Sequence, residues 1–197
     1  MAYDVFGTGP DILFIHGWAG SRLHWKLASQ YIHGYRLWAL DLLGFGDSDD
    51  PDTKLSFEDH ADIIFNFVNR QSIGKTTLVG HSVRGQIAVE FAIRHSSLVS
   101  KLVLIEAPVA DELRSLAIPM LIIFGDHDSI MFGTPRHEMA QKQADYNRKA
   151  QVRYVRNTEH NPMLENPQEF YRILASFLRN SWISTGIMEV LSLAPQS

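Results

Sequence analysis

Residues 76–92 read Thr76-Thr-Leu-Val-Gly-His-Ser-Val-Arg-Gly-Gln-Ile-Ala-Val-Glu-Phe-Ala92, and their pattern is the strongest indication of the fold. It begins with a short apolar, β-branched run and continues with apolar residues at helical spacing, so a strand leads directly into a helix. The turn between them is so tight that Ser82 is expected at its apex in a strained backbone. Its hydroxyl would lie at the positive end of the helix, where the backbone N–H of Val83 can stabilise a negative charge. The stretch therefore predicts a displayed serine nucleophile with one oxyanion donor.

Gly80 and Ser82 resemble the nucleophile elbow of the α/β-hydrolase family, whose pattern is Gly-x-Ser-x-Gly. Arg84 replaces the last glycine of the pattern, and Gly85 follows one position later. Because small residues are expected where strand and helix pass close together, we predict that the Arg84 guanidinium is either buried beside a carboxylate or forced outward with local strain. Short matches also arise by chance, so this stretch alone leaves open an ordinary turn serine.

Composition restricts the possible functions. The chain has 197 residues, of which 45% are hydrophobic and 20% charged, which suits one globular domain with a substantial core. A net charge of −4 and the absence of a basic cluster argue against nucleic acid as a partner. The chain lacks cysteine, and its nine histidines show no metal-ligand spacing, so we expect no disulfide, thiolate or metal site. Asp126-His127-Asp128 is better explained as a turn, because adjacent residues of an extended segment point to opposite sides.

The first residues lack the basic start and apolar region of a secretion signal, and no apolar run is long enough to span a bilayer. We therefore expect a cytoplasmic protein without a membrane span.

Apolar runs alternate with helical patterns along the chain. Together they predict an α/β fold, a doubly wound, mostly parallel sheet of about six to seven strands with helices on both faces. A helix is predicted after the capping box of Ser56 and Asp59, another over 141–150, and a closing helix with Asn166 as N-cap. The predicted strands are 2–6, 12–15, 36–40, 76–79, 101–105, 119–124 and 151–155.

Two further loops resemble the same family. His16-Gly17-Trp18 follows a buried strand, and in the family this position supplies the second oxyanion N–H, here that of Trp18. The segment 41–48 resembles the family's Asp-x-x-Gly-x-Gly-x-Ser loop. From the residues alone, the less favoured alternative stays open, a plain strand-to-helix turn with Trp18 as a packing residue.

The remaining catalytic candidates follow later strands. The family carries its triad acid after the strand predicted at 119–124, where Gly-x-x-Asp selects Asp128, with Glu106 as the second candidate. His160 lies in a loop that resembles the family's histidine loop, with Glu165, Pro167 and Phe170 in the same register. Ser82, Asp128 and His160 then stand in the Ser…Asp…His order of α/β-hydrolases. The resemblance covers roughly residues 7–178.

Many members of the family insert a helical cap after the strand that follows the elbow helix, but here only residues 109–118 intervene. We therefore predict a single domain over 1–181 without a lid, followed by a C-terminal tail over 182–197. An open, shallow acyl pocket would then be formed by loop residues Trp18, Leu23 and Met131.

The resemblance implies a carboxylic-ester hydrolase that acts on a small-molecule ester and requires no cofactor. Ser82 would attack the carbonyl, Trp18 and Val83 would bind the oxyanion, and His160 would transfer protons. Two alternatives stay open. One is a non-catalytic binding protein with this fold, and the other is thioester, amide or C–C hydrolysis by the same triad.

Overall fold

The computed structural model describes residues 1–109, 111–127, 130–131, 134–147 and 149–180. Within this part of the chain, seven strands form one sheet and two short strands form a separate antiparallel ribbon. The sheet confirms the predicted doubly wound α/β architecture. The strands are β1 (Tyr3–Phe6), β2 (Asp11–Ile15), β3 (Arg36–Leu40), β4 (Thr76–His81), β5 (Val99–Ile105), β6 (Met120–Gly125), β7 (Ile130–Met131), β8 (Thr134–Pro135) and β9 (Ala150–Val155).

The order across the sheet is β1-β3-β2-β4-β5-β6-β9. The edge strand β1 is antiparallel to β3, and the other neighbours are parallel. The carboxyl ends of the parallel strands therefore meet at one edge of the sheet, where the loops that carry ligand and catalytic groups are found in such folds. β4, which leads into the elbow, lies at the centre of this order.

The described helices are α1 (Ala28–Tyr31), α2 (Phe57–Arg70), α3 (Gly85–Arg94), α4 (Arg136–Tyr146), α5 (Pro162–Glu165) and α6 (Pro167–Arg179). Ser56 and Asp59 form the predicted capping box of α2, and Asn166 caps α6 as predicted. The helix predicted over 141–150 is α4, which begins and ends earlier. None of the described helices is both long and apolar enough to cross a membrane.

Alternate residues of each central strand enter two hydrophobic cores. Leu13 and Ile15 pack in the core that α2, α3 and α4 cover, whereas Ile12 and Phe14 pack in the core that α1 and α6 cover. All four side chains are fully buried. This explains why the strand sequence is continuously apolar, since a parallel sheet is buried on both faces.

The connection between β5 and β6 is short, as expected from its sequence. Within it, residues 111–115 form a 3-10 helix whose Leu113 is buried in the core. Two buried amides bind its carbonyls: Gln143 of α4 donates to Ala107 and Val109, and Asn147, the C-cap of α4, donates to Leu113 and Leu116. The described part of this connection is therefore packed against the domain rather than projecting over the sheet edge. The predicted tail, 182–197, lies outside the described residues.

Candidate active site

The elbow is built from close contacts between glycines and their neighbours. A Cβ added to Gly80 would lie 2.9 Å from both Gly85 Cα and Ala88 Cβ, and one added to Gly85 would lie 2.5 Å from Ala107 Cβ. Strand and helix therefore pass at a distance that only glycine permits. Ser82 lies between them with φ 57°, in the left-handed region that non-glycine residues rarely adopt. The predicted strained backbone at Ser82 is confirmed.

The side chains of Ser82 and His160 meet at the carboxyl edge of the sheet. Nε2 of His160 lies 2.8 Å from Oγ of Ser82, although 78 residues separate them in the chain. With the imidazole proton on Nδ1, Nε2 accepts the hydroxyl proton of Ser82. The structure thus brings together the nucleophile and the base that the sequence predicted.

The loop that carries His160 is fixed by a carboxylate on α5. Glu165 accepts hydrogen bonds from the backbone N–H of Glu159 at 2.5 Å and of Asn161 at 2.8 Å, the two residues that flank His160. This gives a physical reason for a glutamate five residues after the histidine. The carboxylate clamps the backbone on both sides of the imidazole and so limits where Nε2 can point.

His81, the residue before Ser82, supports the same loop. Its Nε2 lies 2.8 Å from the backbone carbonyl of His160, and because a carbonyl only accepts, Nε2 carries the proton and donates it. Burial lowers the pKa of His81 to about 3, from an ordinary value of 6.5. His81 is therefore neutral at physiological pH and acts by positioning His160. This role could not be predicted from the sequence, because the Gly-x-Ser-x-Gly pattern leaves the position of His81 unspecified.

His16 has a comparable structural role in the first loop. Its Nε2 accepts from the N–H of Leu42, which requires the proton on Nδ1, and Nδ1 donates to the carbonyl of Gly17 at 2.8 Å. Burial is the main cause that lowers its pKa to about 4. His16 thus joins the ends of β2 and β3 as a neutral ring.

Trp18, Leu23 and Val83 lie around this edge. A Cβ added to Gly17 would lie 3.0 Å from Ser82 Cβ, so the loop that carries Trp18 passes directly beside Ser82. The side chains of Trp18 and Leu23 are 70% and 59% exposed. Val83 is half-buried and directly follows Ser82 at the start of the helical segment. Met131 belongs to β7, and its side chain lies outside the described part.

Asp128, the predicted triad acid, lies outside the described residues. The two residues before it are bound to the histidine loop: Asp126 accepts from the N–H of Asn157 at 2.7 Å, and the N–H of His127 donates to the carbonyl of Thr158 at 3.2 Å. The chain immediately before Asp128 therefore runs along the loop that carries His160.

Glu106, the second candidate, is fully buried at the end of β5 with φ 49°. Its Oε1 accepts from the N–H of Gly125 at 2.6 Å, which ties the ends of β5 and β6 together.

Arg84 requires a correction. The position that must be small is Gly85, and the Arg84 side chain instead leaves the elbow. Its Cζ lies 3.5 Å from the ring centroid of Phe45 and 5.1 Å from that of Trp18. Arg84 is only 4% exposed and forms no ion pair within the described residues. Among the residues that the structure describes, neither predicted alternative is found, because the side chain is buried and aromatic rings rather than a carboxylate accommodate the cation.

Two grooves of about 300 and 230 Å³ are found elsewhere on the surface. The first lies between the N-terminal strand and α2, and the second beside the turn after β1. Neither is lined by Ser82, His160 or the predicted acyl-pocket residues, so we assign them no part in the site.

Comparison with known proteins agrees with this architecture. The family described as alpha/beta hydrolase fold matches residues 10–120, more than half of the chain. The Arabidopsis thaliana protein named Probable lysophospholipase BODYGUARD 4 is 35% identical over 111 residues, which cover 54% of this chain and 27% of that protein. Protein ABHD14A of Danio rerio is 27% identical over 178 residues, which cover 85% of this chain and 64% of that protein.

A solved esterase from Thermogutta terrifontis superposes with a TM-score of 0.81 at 20% sequence identity, covering 90% of this chain and 92% of that one. The matched part of the chain spans only 21–31% of the length of the curated relatives with which it is 35–36% identical. The family match extends over the sheet strands from β2 to β5, the elbow and the loops around Ser82. The chain therefore belongs to the α/β-hydrolase fold family.

Proposed function

We propose that this protein is a serine hydrolase that cleaves a carboxylic ester through an acyl-enzyme formed on Ser82. The observation that carries the proposal is the 2.8 Å contact between Ser82 Oγ and His160 Nε2 at an elbow where Ser82 has φ 57°. A serine hydroxyl becomes nucleophilic only when an adjacent base removes its proton, and this geometry provides that base. The names of BODYGUARD 4 and the Thermogutta protein, a lysophospholipase and an esterase, also support ester hydrolysis.

In this mechanism His160 removes the proton of Ser82 as the hydroxyl attacks the ester carbonyl. The N–H groups of Trp18 and Val83 stabilise the oxyanion, since the first follows the glycine packed against Ser82 and the second lies at the start of the helical segment. His160 then protonates the departing alcohol. In the second half of the reaction, His160 removes a proton from the water that attacks the acyl-enzyme and returns it to Ser82 as the acid is released. No cofactor takes part in these steps.

We assign the acid that orients the imidazole to Asp128, because the residues that precede it are bound to the histidine loop. Glu106 is the competing acid. We also propose a single domain over 1–181 without a lid, with the ester held over the exposed side chains of Trp18 and Leu23 and by Met131.

The experiment is hydrolysis of p-nitrophenyl acetate and butyrate by the wild type and by Ser82→Ala, His160→Ala and the double variant. Each single change should lower kcat by about 10⁴-fold or more, and the double variant should be no worse, because the two residues act as a unit. Exposed Ser115 and His33 supply the matched controls Ser115→Ala and His33→Ala. Full turnover by Ser82→Ala would exclude the mechanism.

The acid is tested by a second pair of matched variants. Asp128→Asn should reduce kcat strongly while leaving the nucleophile in place, because the imidazole loses the carboxylate that orients it. Glu106→Gln should preserve most of the activity. A larger loss for Glu106→Gln than for Asp128→Asn would transfer the assignment to Glu106.

A further inference from the structure

Arg84 carries a buried positive charge beside the candidate site. Its guanidinium lies against the faces of Phe45 and Trp18, and its buried Nη1 atom has no hydrogen-bond partner in the described part of the chain. Burial lowers the pKa of Arg84 to about 10, so the group stays charged at neutral pH. Buried N–H donors in proteins normally form hydrogen bonds, so the lack of a bond at Nη1 needs a physical explanation.

The neighbouring residues do not neutralise this charge. His16 and His60 lie close enough for the charge of Arg84 to lower their pKa values further, after burial as the main cause, so both rings are neutral at pH 7. Asp41, the acid that acts on His16, already accepts hydrogen bonds from the backbone and guanidinium of Arg22. Among the described residues Arg84 therefore faces aromatic rings and neutral imidazoles.

The aromatic contacts offset only part of the cost of burying the cation. Taking a charge out of water is costly, and although the ring faces attract the cation, they supply no oxygen acceptor for its N–H groups. An anion that contacts the guanidinium would supply the missing interaction, and arginine binds carboxylates through two parallel N–H donors. Within the described residues, the guanidinium therefore has no anionic partner.

The position of the guanidinium connects it to catalysis. Arg84 is two residues after Ser82, and the ring of Trp18 that covers it belongs to the loop packed beside Ser82 through Gly17. Trp18 is 70% exposed, so its indole can rotate towards solvent without disturbing the core. Such a rotation would uncover one face of the guanidinium at the loop that packs beside Ser82.

We propose that Arg84 binds a carboxylate of the substrate, so that the ester cleaved at Ser82 is a half-ester of a dicarboxylic acid or another ester bearing a carboxylate. The proposal rests on the ester hydrolysis proposed above and assigns its substrate class. Arg84 acts here as a specificity residue, and Trp18 acts as the cover of the subsite.

The test compares monomethyl glutarate with dimethyl glutarate, which presents the same ester group without the charge. For the wild type we expect kcat/KM to be at least about tenfold higher for the anionic ester, after allowing for the two ester groups of the neutral one. Arg84→Met keeps an apolar side chain against Phe45 but removes the charge, and should bring the ratio near one. Arg94→Met is the matched control, because it removes a positive charge from the exposed ion pair of Arg94 on α3 with Asp62. This variant should keep the wild-type ratio of kcat/KM for the two esters.

A binding measurement separates this proposal from the proposed reaction. Calorimetric titration of the Ser82→Ala protein with monomethyl glutarate should show binding that dimethyl glutarate lacks, whether or not the wild type hydrolyses esters. Should Arg84→Met fail to fold, Arg84→Gln removes the charge with a polar side chain and makes the same test. Equal binding of the two esters, or a wild-type preference for the neutral one, would overturn the assignment of Arg84.

Discussion

Gly85→Ala tests whether the glycine after Arg84 is the one that the elbow requires. The added Cβ would lie 2.5 Å from the Cβ of Ala107, a residue that is 1% exposed at the end of β5. Carbon atoms normally approach to about 3.5–4.0 Å, so α3 and β5 must separate by about 1 Å or more. Alanine is the better helix former by up to ~1 kcal/mol, but overpacking a core costs roughly 1–3 kcal/mol.

We therefore expect the free energy of unfolding to fall by about 1–2 kcal/mol and Tm to fall by about 2–8 °C. Urea and thermal unfolding measure this change, and p-nitrophenyl acetate hydrolysis reports the displacement of Ser82 that accompanies it. Gly74→Ala is the matched control, because a Cβ there meets no atom within 4 Å and its backbone does not need glycine. A Gly85→Ala protein as stable and as active as Gly74→Ala would refute the packing argument.

Three further substitutions test parts of the structure around the site. Burial alone would raise the pKa of Asp41, but hydrogen bonds from backbone N–H groups and the guanidinium of Arg22 lower it. Asp41→Asn should therefore lower the free energy of unfolding, measured with urea at pH 7, by about 1–3 kcal/mol. Since the pKa is lower in the folded state, this difference should shrink as pH falls below about 3.8, and a constant difference down to pH 2 would contradict it. His81→Phe removes the donor to the carbonyl of His160, so kcat should fall about tenfold with little change in KM, and unchanged kcat would exclude the positioning role. Lys101→Met removes the ammonium that donates to three carbonyls at the end of α6, which should lower the free energy of unfolding by about 1–3 kcal/mol, and an unchanged urea midpoint would contradict this.

The sheet could be predicted from sequence because its physical signal is local. The strand at 36–40 was predicted with the observed bounds, since a parallel strand buried on both faces needs a continuous apolar run that turn residues interrupt. Ser82 and His160 could be placed at one edge for the same reason, because each follows a strand of a parallel sheet.

The bounds of α4 could not be predicted from periodicity. Its sequence is polar and weakly amphipathic, and its C-terminal end is determined by Asn147, whose buried amide binds the carbonyls of Leu113 and Leu116. That contact joins residues more than thirty positions apart. The helix begins directly after Pro135, which occupies the N-cap without a side-chain capping hydrogen bond, so the common capping signal is missing at this end.

The environment of Arg84 could not be predicted from the pattern either. The pattern indicated a position that tolerates only small residues, but whether a side chain enters the strand–helix contact depends on the direction of its Cα–Cβ bond. The neighbouring aromatic faces come from the loops after β2 and β3, far from Arg84 in sequence. The spacing of residues along the chain therefore predicts neither the direction of the Arg84 side chain nor its aromatic neighbours.

The central claim is that Ser82 is a nucleophile activated by His160. Incubation with a fluorophosphonate, followed by peptide mass spectrometry, tests it without knowledge of the natural substrate. We expect one phosphonylated residue, Ser82, and at least about 100-fold slower labelling in the His160→Ala protein, where no base removes the hydroxyl proton. An unlabelled wild type, labelling at another serine, or an unchanged rate in His160→Ala would contradict it.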